Sequence, residues 1–301
     1  MKLERISPPT QARTGLSETG LDRPRIVIFG DSHMHALQEA LKTRDEPTGV
    51  SIEARRLLKT KGEGATVGAP TSVRERLRRF ASSIWQGGRS PDDETRPHIL
   101  GDTSFAQFLA IAKSLAPQDI LVSAVGGNQH AVYSTIQHPV PFDFNFPEDV
   151  ATPGGEGVEV IPFGPLYDHF EEGLRKGDGA TLAALKGATR ARVVHLMAPP
   201  PKRDGAFIQR NHDTHFAAEG IDDLGVSSAA LRMKFWKLQN RALARICADL
   251  WIELLAPPAD ACDDEGFLAE PFYARDATHA NAAYGELVIG QLERLAAASV
   301  P

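Results

Sequence analysis

The chain has little cysteine: Cys247 and Cys262 are the two thiols in 301 residues. They match no metal-ligand spacing, and a disulfide framework needs more of them, so two unpaired thiols are the expectation. Long apolar runs are missing too. Nothing approaches the roughly 20 residues that a membrane-spanning helix requires, which excludes such a span. Positive charge is not in excess, since 33 Lys and Arg stand against 39 Asp and Glu for a net charge of −6. That balance argues against nucleic acid or an anionic membrane surface as partner. The opening Met1-Lys2-Leu3-Glu4-Arg5 has no apolar stretch behind it, so a secretory signal is not expected and a cytoplasmic location is.

What is present is an ordinary globular composition, 42% hydrophobic and 24% charged, enough for one large core. Residues 1–23, with Pro8, Pro9, Gly15 and Gly20 and no apolar period, read as an N-terminal tail. Residues 24–301 read as one domain with inserts at about 59–98 and 130–170. In the β-rich run 25–29, stopped by Gly30, everything after Arg25 is apolar, the pattern of a strand buried on both faces. Met34, Leu37, Ala40 and Leu41 then follow at helical spacing. Similar strands are expected at 50–58, 119–125, 192–197 and 251–255. Helices are expected at 72–84 behind a Ser72-x-x-Glu75 capping box, from Phe105 to Leu115, at 227–250 and at 281–297. Strands alternating with helices predict an α/β sandwich on a mostly parallel sheet. In such sheets ligands bind beyond the carboxyl ends of the strands.

Small and polar groups stand at those ends: Gly30-Asp31-Ser32-His33, Gly101-Asp102-Thr103-Ser104 and Gly126-Gly127-Asn128. Asp276-Ala277-Thr278-His279 precedes the last helix. Together they supply what acyl transfer needs. A serine hydroxyl requires a base within hydrogen-bond reach, histidine is the usual one, and a carboxylate on its other nitrogen sets tautomer and orientation. Donors for a developing oxyanion are the N–H of Ser32, the N–H of Gly101 and the side-chain amide of Asn128. In this order and context the four blocks resemble those of the SGNH/GDSL hydrolase superfamily, over roughly residues 25–297. The resemblance implies a flavodoxin-like three-layer α/β/α sandwich that hydrolyses esters or thioesters with no metal or other cofactor. It implies Ser32, Asp276 and His279 as catalytic residues and Ser32, Gly101 and Asn128 as the oxyanion hole. His33 stands where the family often has leucine, Gln129 where aspartate is common and Ala280 where proline is common. None of the three is a catalytic position.

Other readings of the same residues compete. Gly-x-Ser-x-Gly, the nucleophile elbow of α/β-hydrolases, is excluded by Met34. A metal-dependent phosphoesterase would use Asp31, His33, Asp102 and Asn128 as ligands, with His130, His212 and His215 adding imidazoles. That pattern wants aspartate at Phe105 and histidine at Gln129, and it leaves Asp276 and His279 without a role. An acyltransferase would use the ester-hydrolase site unchanged, and a non-catalytic binding protein would not need all three catalytic groups. His33 and His130 are candidate substrate contacts. Lys202 and Arg203, beyond Pro199-Pro200-Pro201, read first as surface charges, and Phe142, Phe144 and Phe146 first as an insert packing one face. The inserts mix aromatic, charged, Gly and Pro residues and so lack a lipase's apolar lid. A small-molecule ester with a short, acetyl-like acyl group, perhaps borne by a carbohydrate, is the expected substrate.

Overall fold

A computed structural model describes residues 24–44, 50–57, 98–149 and 157–298, and residues 98–102 by their backbone only. The tail at 1–23 and the helix expected at 72–84 lie outside the described residues. Strand β1 (Arg25–Gly30) leads through a turn into α1 (Met34–Thr43), and β2 (Ser51–Leu57) follows. Strand β3 (His98–Thr103) and α2 (Phe105–Ser114) come next, then β4 (Ile120–Ala124) and α3 (Gln129–Ser134). The second insert holds the two-residue strands β5 (Phe142–Asp143) and β6 (Glu159–Val160). It leads into α4 (Phe163–Leu174), a π-turn over Arg175–Gly179 and α5 (Ala180–Ala188). Beyond β7 (Arg192–Leu196) lie three short helices, α6 (Gly205–Asn211), α7 (Thr214–Ala218) and α8 (Ile221–Leu224). The long α9 (Ala229–Asp249), β8 (Glu253–Leu255) and α10 (Ala282–Ala297) complete the order.

The main sheet has six strands in the order β3-β2-β1-β4-β7-β8, every pair parallel. With the outer β3 set aside, this is the 2-1-3-4-5 order of doubly wound flavodoxin-like sheets. Alternation along β1 divides the layers. Ile26 and Ile28 join Met34, Leu37, Val288 and Ile289 on the face covered by α1 and α10. Val27 and Phe29 join Phe108, Leu182 and Cys247 on the face covered by α2, α5 and α9. Burying each such aliphatic or aromatic side chain contributes about 1.5–3 kcal/mol. The expected three-layer α/β/α sandwich is therefore what forms.

Two sequence expectations change here. Residues 98–103, expected to follow the second strand after an insert, form a full edge strand of their own, because pairing with β2 outweighs the weak strand character of Gly101 and Asp102. Phe144 and Phe146 pack as expected, buried with Phe170, Phe235 and Leu238 between α4 and α9. Lys202 is not a surface charge, since its side chain is fully buried. Arg203 does lie outside, paired with Asp263 and Glu265. Both thiols are free, Cys247 buried and Cys262 partly so. Among the described residues no helix is long and apolar enough to cross a membrane.

Candidate active site

The crevice forms where β1 and β4 end side by side. Gly30 closes β1 against Ala124, whose carbonyl oxygen would sit 2.3 Å from any added Cβ. Only glycine lets the two strands run together to that point. The chain then turns, with Met34 N–H donating to Asp31 O and His35 N–H to Ser32 O. Ser32 is thereby held immediately before α1, at the positive end of a helix whose first N–H groups have no intrahelical acceptor.

Across from it, Gly126 and Gly127 take φ of 67° and 81°, left-handed values that glycine adopts without strain. This turn is fixed by groups far away in the chain. Gly127 N–H donates to Asp178 Oδ2 at 3.1 Å, and Gly127 O accepts from Gln239 Nε2 at 3.0 Å. Asn128 starts α3 without using its side chain as a cap. Its Nδ2 instead points at Ser32 Oγ, 3.5 Å away.

The Asp276 turn supplies the third component. Asp276 Oδ1 accepts from Thr278 N–H at 2.9 Å and His279 N–H at 2.7 Å, an Asx-type turn closed by the aspartate itself. Its other oxygen, Oδ2, lies 3.0 Å from His279 Nδ1. The Asp-x-x-His spacing thus orients both groups with one local loop. A proton on Nδ1, donated to the carboxylate, leaves the Nε2 lone pair free. His279 Nε2 is buried and has no hydrogen-bond partner among the described residues. Burial alone would raise the Asp276 carboxyl, but the His279 ring and backbone N–H and the Lys202 ammonium outweigh it and hold it below the usual carboxylate range. Asp276 is therefore an anion at neutral pH, positioned to stabilise a protonated His279.

His33 lies between these parts, its ring centroid 5.2 Å from that of His279. Burial, with the His279 and His130 charges, pushes its pKa down to about 3, so its ring stays neutral. A neutral His33 does not compete with His279 for the proton. His33 also lines an apolar cavity with Leu37, Val125, Leu196, Tyr284 and Val288, which holds about 470 Å³ of empty space including its open mouth. No hydrogen bond joins Ser32 Oγ to His279 Nε2. In ligand-free enzymes such contacts are often long and tighten when substrate arrives.

No family model and no curated protein matches the chain. Among solved structures it is similar to a GDSL-like lipase from Bacteroides thetaiotaomicron, at 12% identity over 92% of this chain and 89% of that one, with a TM-score of 0.39. It is similar to a carbohydrate acetylesterase from Sinorhizobium meliloti at 15% identity, covering 92% and 99% of the two chains, TM-score 0.36. An acetylxylan esterase from Geobacillus stearothermophilus stands at 12%, with 91% and 94% covered, TM-score 0.37. The fold described above rests on its own strand order.

The structure therefore gathers Ser32, His33, Asn128, Asp276 and His279. It does not bring Gly101 to them. Gly101 lies inside β3, with β2 between it and β1, and strands two positions apart are separated by about 9–10 Å. The same separation applies to Asp102, the phosphoesterase candidate. Among the described residues no group of three or more His, Cys, Asp or Glu is arranged to hold a metal ion. His130 is buried beneath α9, its backbone N–H and Nδ1 both on Gln239 Oε1, and burial pushes its pKa to about 4. It lines a small polar cavity with Lys202 and Thr278 rather than the apolar one beside His33. His212 pairs with Asp222, and the His215 ring lies tilted beside that of Phe216. Asp178, Gln239 and Lys202 support the site without any sequence signal. The rigid Pro199-Pro200-Pro201 run that delivers Lys202 is the nearest to one.

Proposed function

We propose that the protein is a serine ester hydrolase of the SGNH type. The observation that carries this reading is the Asp276–His279 pair, whose outer nitrogen has no hydrogen-bond partner among the described residues and whose ring stands 5.2 Å from that of His33, next to Ser32 and the Asn128 amide. Ser32 Oγ attacks the ester carbonyl carbon while His279 Nε2 takes its proton. The resulting oxyanion is held by Ser32 N–H and Asn128 Nδ2. The bond to the alcohol oxygen breaks as His279 returns the proton to it, leaving an acyl-Ser32 ester. Water then loses a proton to His279, attacks that ester and releases the acid, restoring Ser32. Every step runs on this chain's own residues, with no cofactor.

The favoured substrate is a small ester with a short acyl group, acetyl-like, on an alcohol such as a carbohydrate hydroxyl. The apolar walls beside His33 suit an acyl group, and the phenylalanines of the second insert, buried in a core, offer no lipid-binding lid. The test is hydrolysis of p-nitrophenyl esters of increasing chain length by wild type and Ser32→Ala, with and without EDTA. The expected result is a short-chain optimum, no turnover in Ser32→Ala and no effect of EDTA. Turnover in Ser32→Ala together with loss in EDTA would instead support the phosphoesterase reading through Asp31 and His33. Acylated sugar appearing when sugar acceptors are added would identify the acyltransferase reading.

A further inference from the structure

Lys202 has no role in the mechanism above, yet its side chain is fully buried 3.5 Å from Asp276 Oδ1. An ammonium group removed from water costs several kcal/mol unless its three N–H donors are met. Here the acceptors all belong to one segment. Nζ donates to Ala274 O at 2.6 Å and to Asp276 O at 2.5 Å, with Asp276 Oδ1 as the third and longer contact. The rings of Phe207 and Tyr273 flank it, with centroids at 5.0 and 5.3 Å, and add cation–π attraction.

The backbone of Lys202 is held equally firmly. It follows three prolines beyond the end of β7 and makes a parallel bridge with Leu268. The carbonyls of Lys202 and Arg203 both accept from Nη2 of Arg232, itself a buried cation on α9. One chain of contacts therefore runs from α9 through Arg232 to Lys202 and on to the Asp276 turn. The ammonium meets Oδ1, the oxygen that closes the turn, and leaves Oδ2 for the His279 ring. Burial pushes Lys202 down to about 8, so it is mostly charged at neutral pH.

We propose that Lys202 is a positioning residue that locks the Asp276–His279 turn to the end of β7, so that Asp276 Oδ2 faces the His279 ring. The proposal rests on the hydrolase reading of the same site. A misplacement of about 1 Å in such a site costs up to about 100-fold in rate. The loss falls on kcat, because Lys202 lines the small polar cavity with His130 and Thr278 and not the apolar one beside His33, where the proposed function seats the acyl group.

The experiment compares wild type, Ser32→Ala, Lys202→Met and Lys202→Arg on a short p-nitrophenyl ester, with circular dichroism to establish folding. Proton NMR follows the His279 Nδ1–H signal, assigned by its loss in His279→Gln. In Lys202→Met, similar in length but uncharged, kcat falls about 10–100-fold with KM within about twofold, and the Nδ1–H signal moves or broadens. Lys202→Arg, which keeps the charge on a head of another shape, falls between Met and wild type. Wild-type kcat and an unmoved Nδ1–H signal in folded Lys202→Met overturn the proposal. If Lys202→Met does not fold, Lys202→Gln takes its place, and wild-type kcat with an unmoved Nδ1–H signal in that folded variant overturns the proposal. Turnover in Ser32→Ala would remove the hydrolase reading instead, so the two failures are distinguishable.

Discussion

Replacing Asp276 with asparagine changes the side-chain group facing His279 Nδ1 and removes the negative charge beside Lys202. The asparagine carbonyl can keep the place of Oδ1 and accept the N–H groups of Thr278 and His279, now 2.9 and 2.7 Å away. Its NH2 then lies where Oδ2 was, 3.0 Å from His279 Nδ1. Two donors cannot face each other, so the imidazole moves its proton to Nε2 and loses the lone pair that receives the Ser32 proton. Restoring the active tautomer leaves an unmet donor, about 1–3 kcal/mol, and forfeits a charged hydrogen bond of about 1.5–3 kcal/mol. The sum is about 2.5–6 kcal/mol, or roughly 10²- to 10⁴-fold in kcat at 1.36 kcal/mol per factor of ten. The assay is kcat and KM on a p-nitrophenyl acetate-type ester, beside a thermal melt. KM should hold within a few-fold, and the melt should fall because the carboxylate that His279 and Lys202 stabilise is gone, so kcat is read well below the variant's melting temperature. A kcat within threefold of wild type in folded Asp276→Asn would refute the assigned tautomer.

Three further outcomes follow from the same geometry. Asn281 caps α10 by accepting from Ala283 N–H and Tyr284 N–H, so Asn281→Ala should cost about 1–2 kcal/mol in urea unfolding, and an unchanged midpoint would contradict that role. Gly285→Ala would set a Cβ 2.2 Å from Ala36 O where α10 packs on α1, and such overpacking should cost about 1–3 kcal/mol by the same measurement. The Asp276 carboxyl is held below its ordinary value of 3.8 in the folded chain, so its stabilisation is present above about pH 4 and is lost as acid carries the pH through its folded value. The stability difference between wild type and Asp276→Asn should therefore shrink below about pH 4, and one that stays constant into acid would contradict the assignment.

The parts legible in the sequence were those made by neighbours along the chain. Residues 26–29 and 120–122 are apolar on both faces and announce strands covered on both sides. The final helix is placed by Asn281, whose side chain caps it. Asp276 and His279 are legible for the same reason, since the turn joining them is closed by Asp276 itself. The remainder depends on contacts between distant segments. β3 carries glycine and aspartate and becomes a strand only beside β2, which in turn moves Gly101 away from Ser32. Asp178 and Gln239 fix the Gly126-Gly127 turn from 51 and 112 positions away. Lys202 runs against the general exposure of lysine, and its burial becomes intelligible once the carbonyls of Ala274 and Asp276 are seen to converge on it.

The most direct test of Ser32 as nucleophile is covalent. Incubation with a fluorophosphonate ester, followed by intact-mass and peptide mass spectrometry, should give one adduct, on Ser32, with activity lost in proportion to labelling. The same treatment of Ser32→Ala should give none. An unlabelled but inactivated enzyme, an adduct at another residue, or full activity after complete labelling of Ser32 would contradict the account.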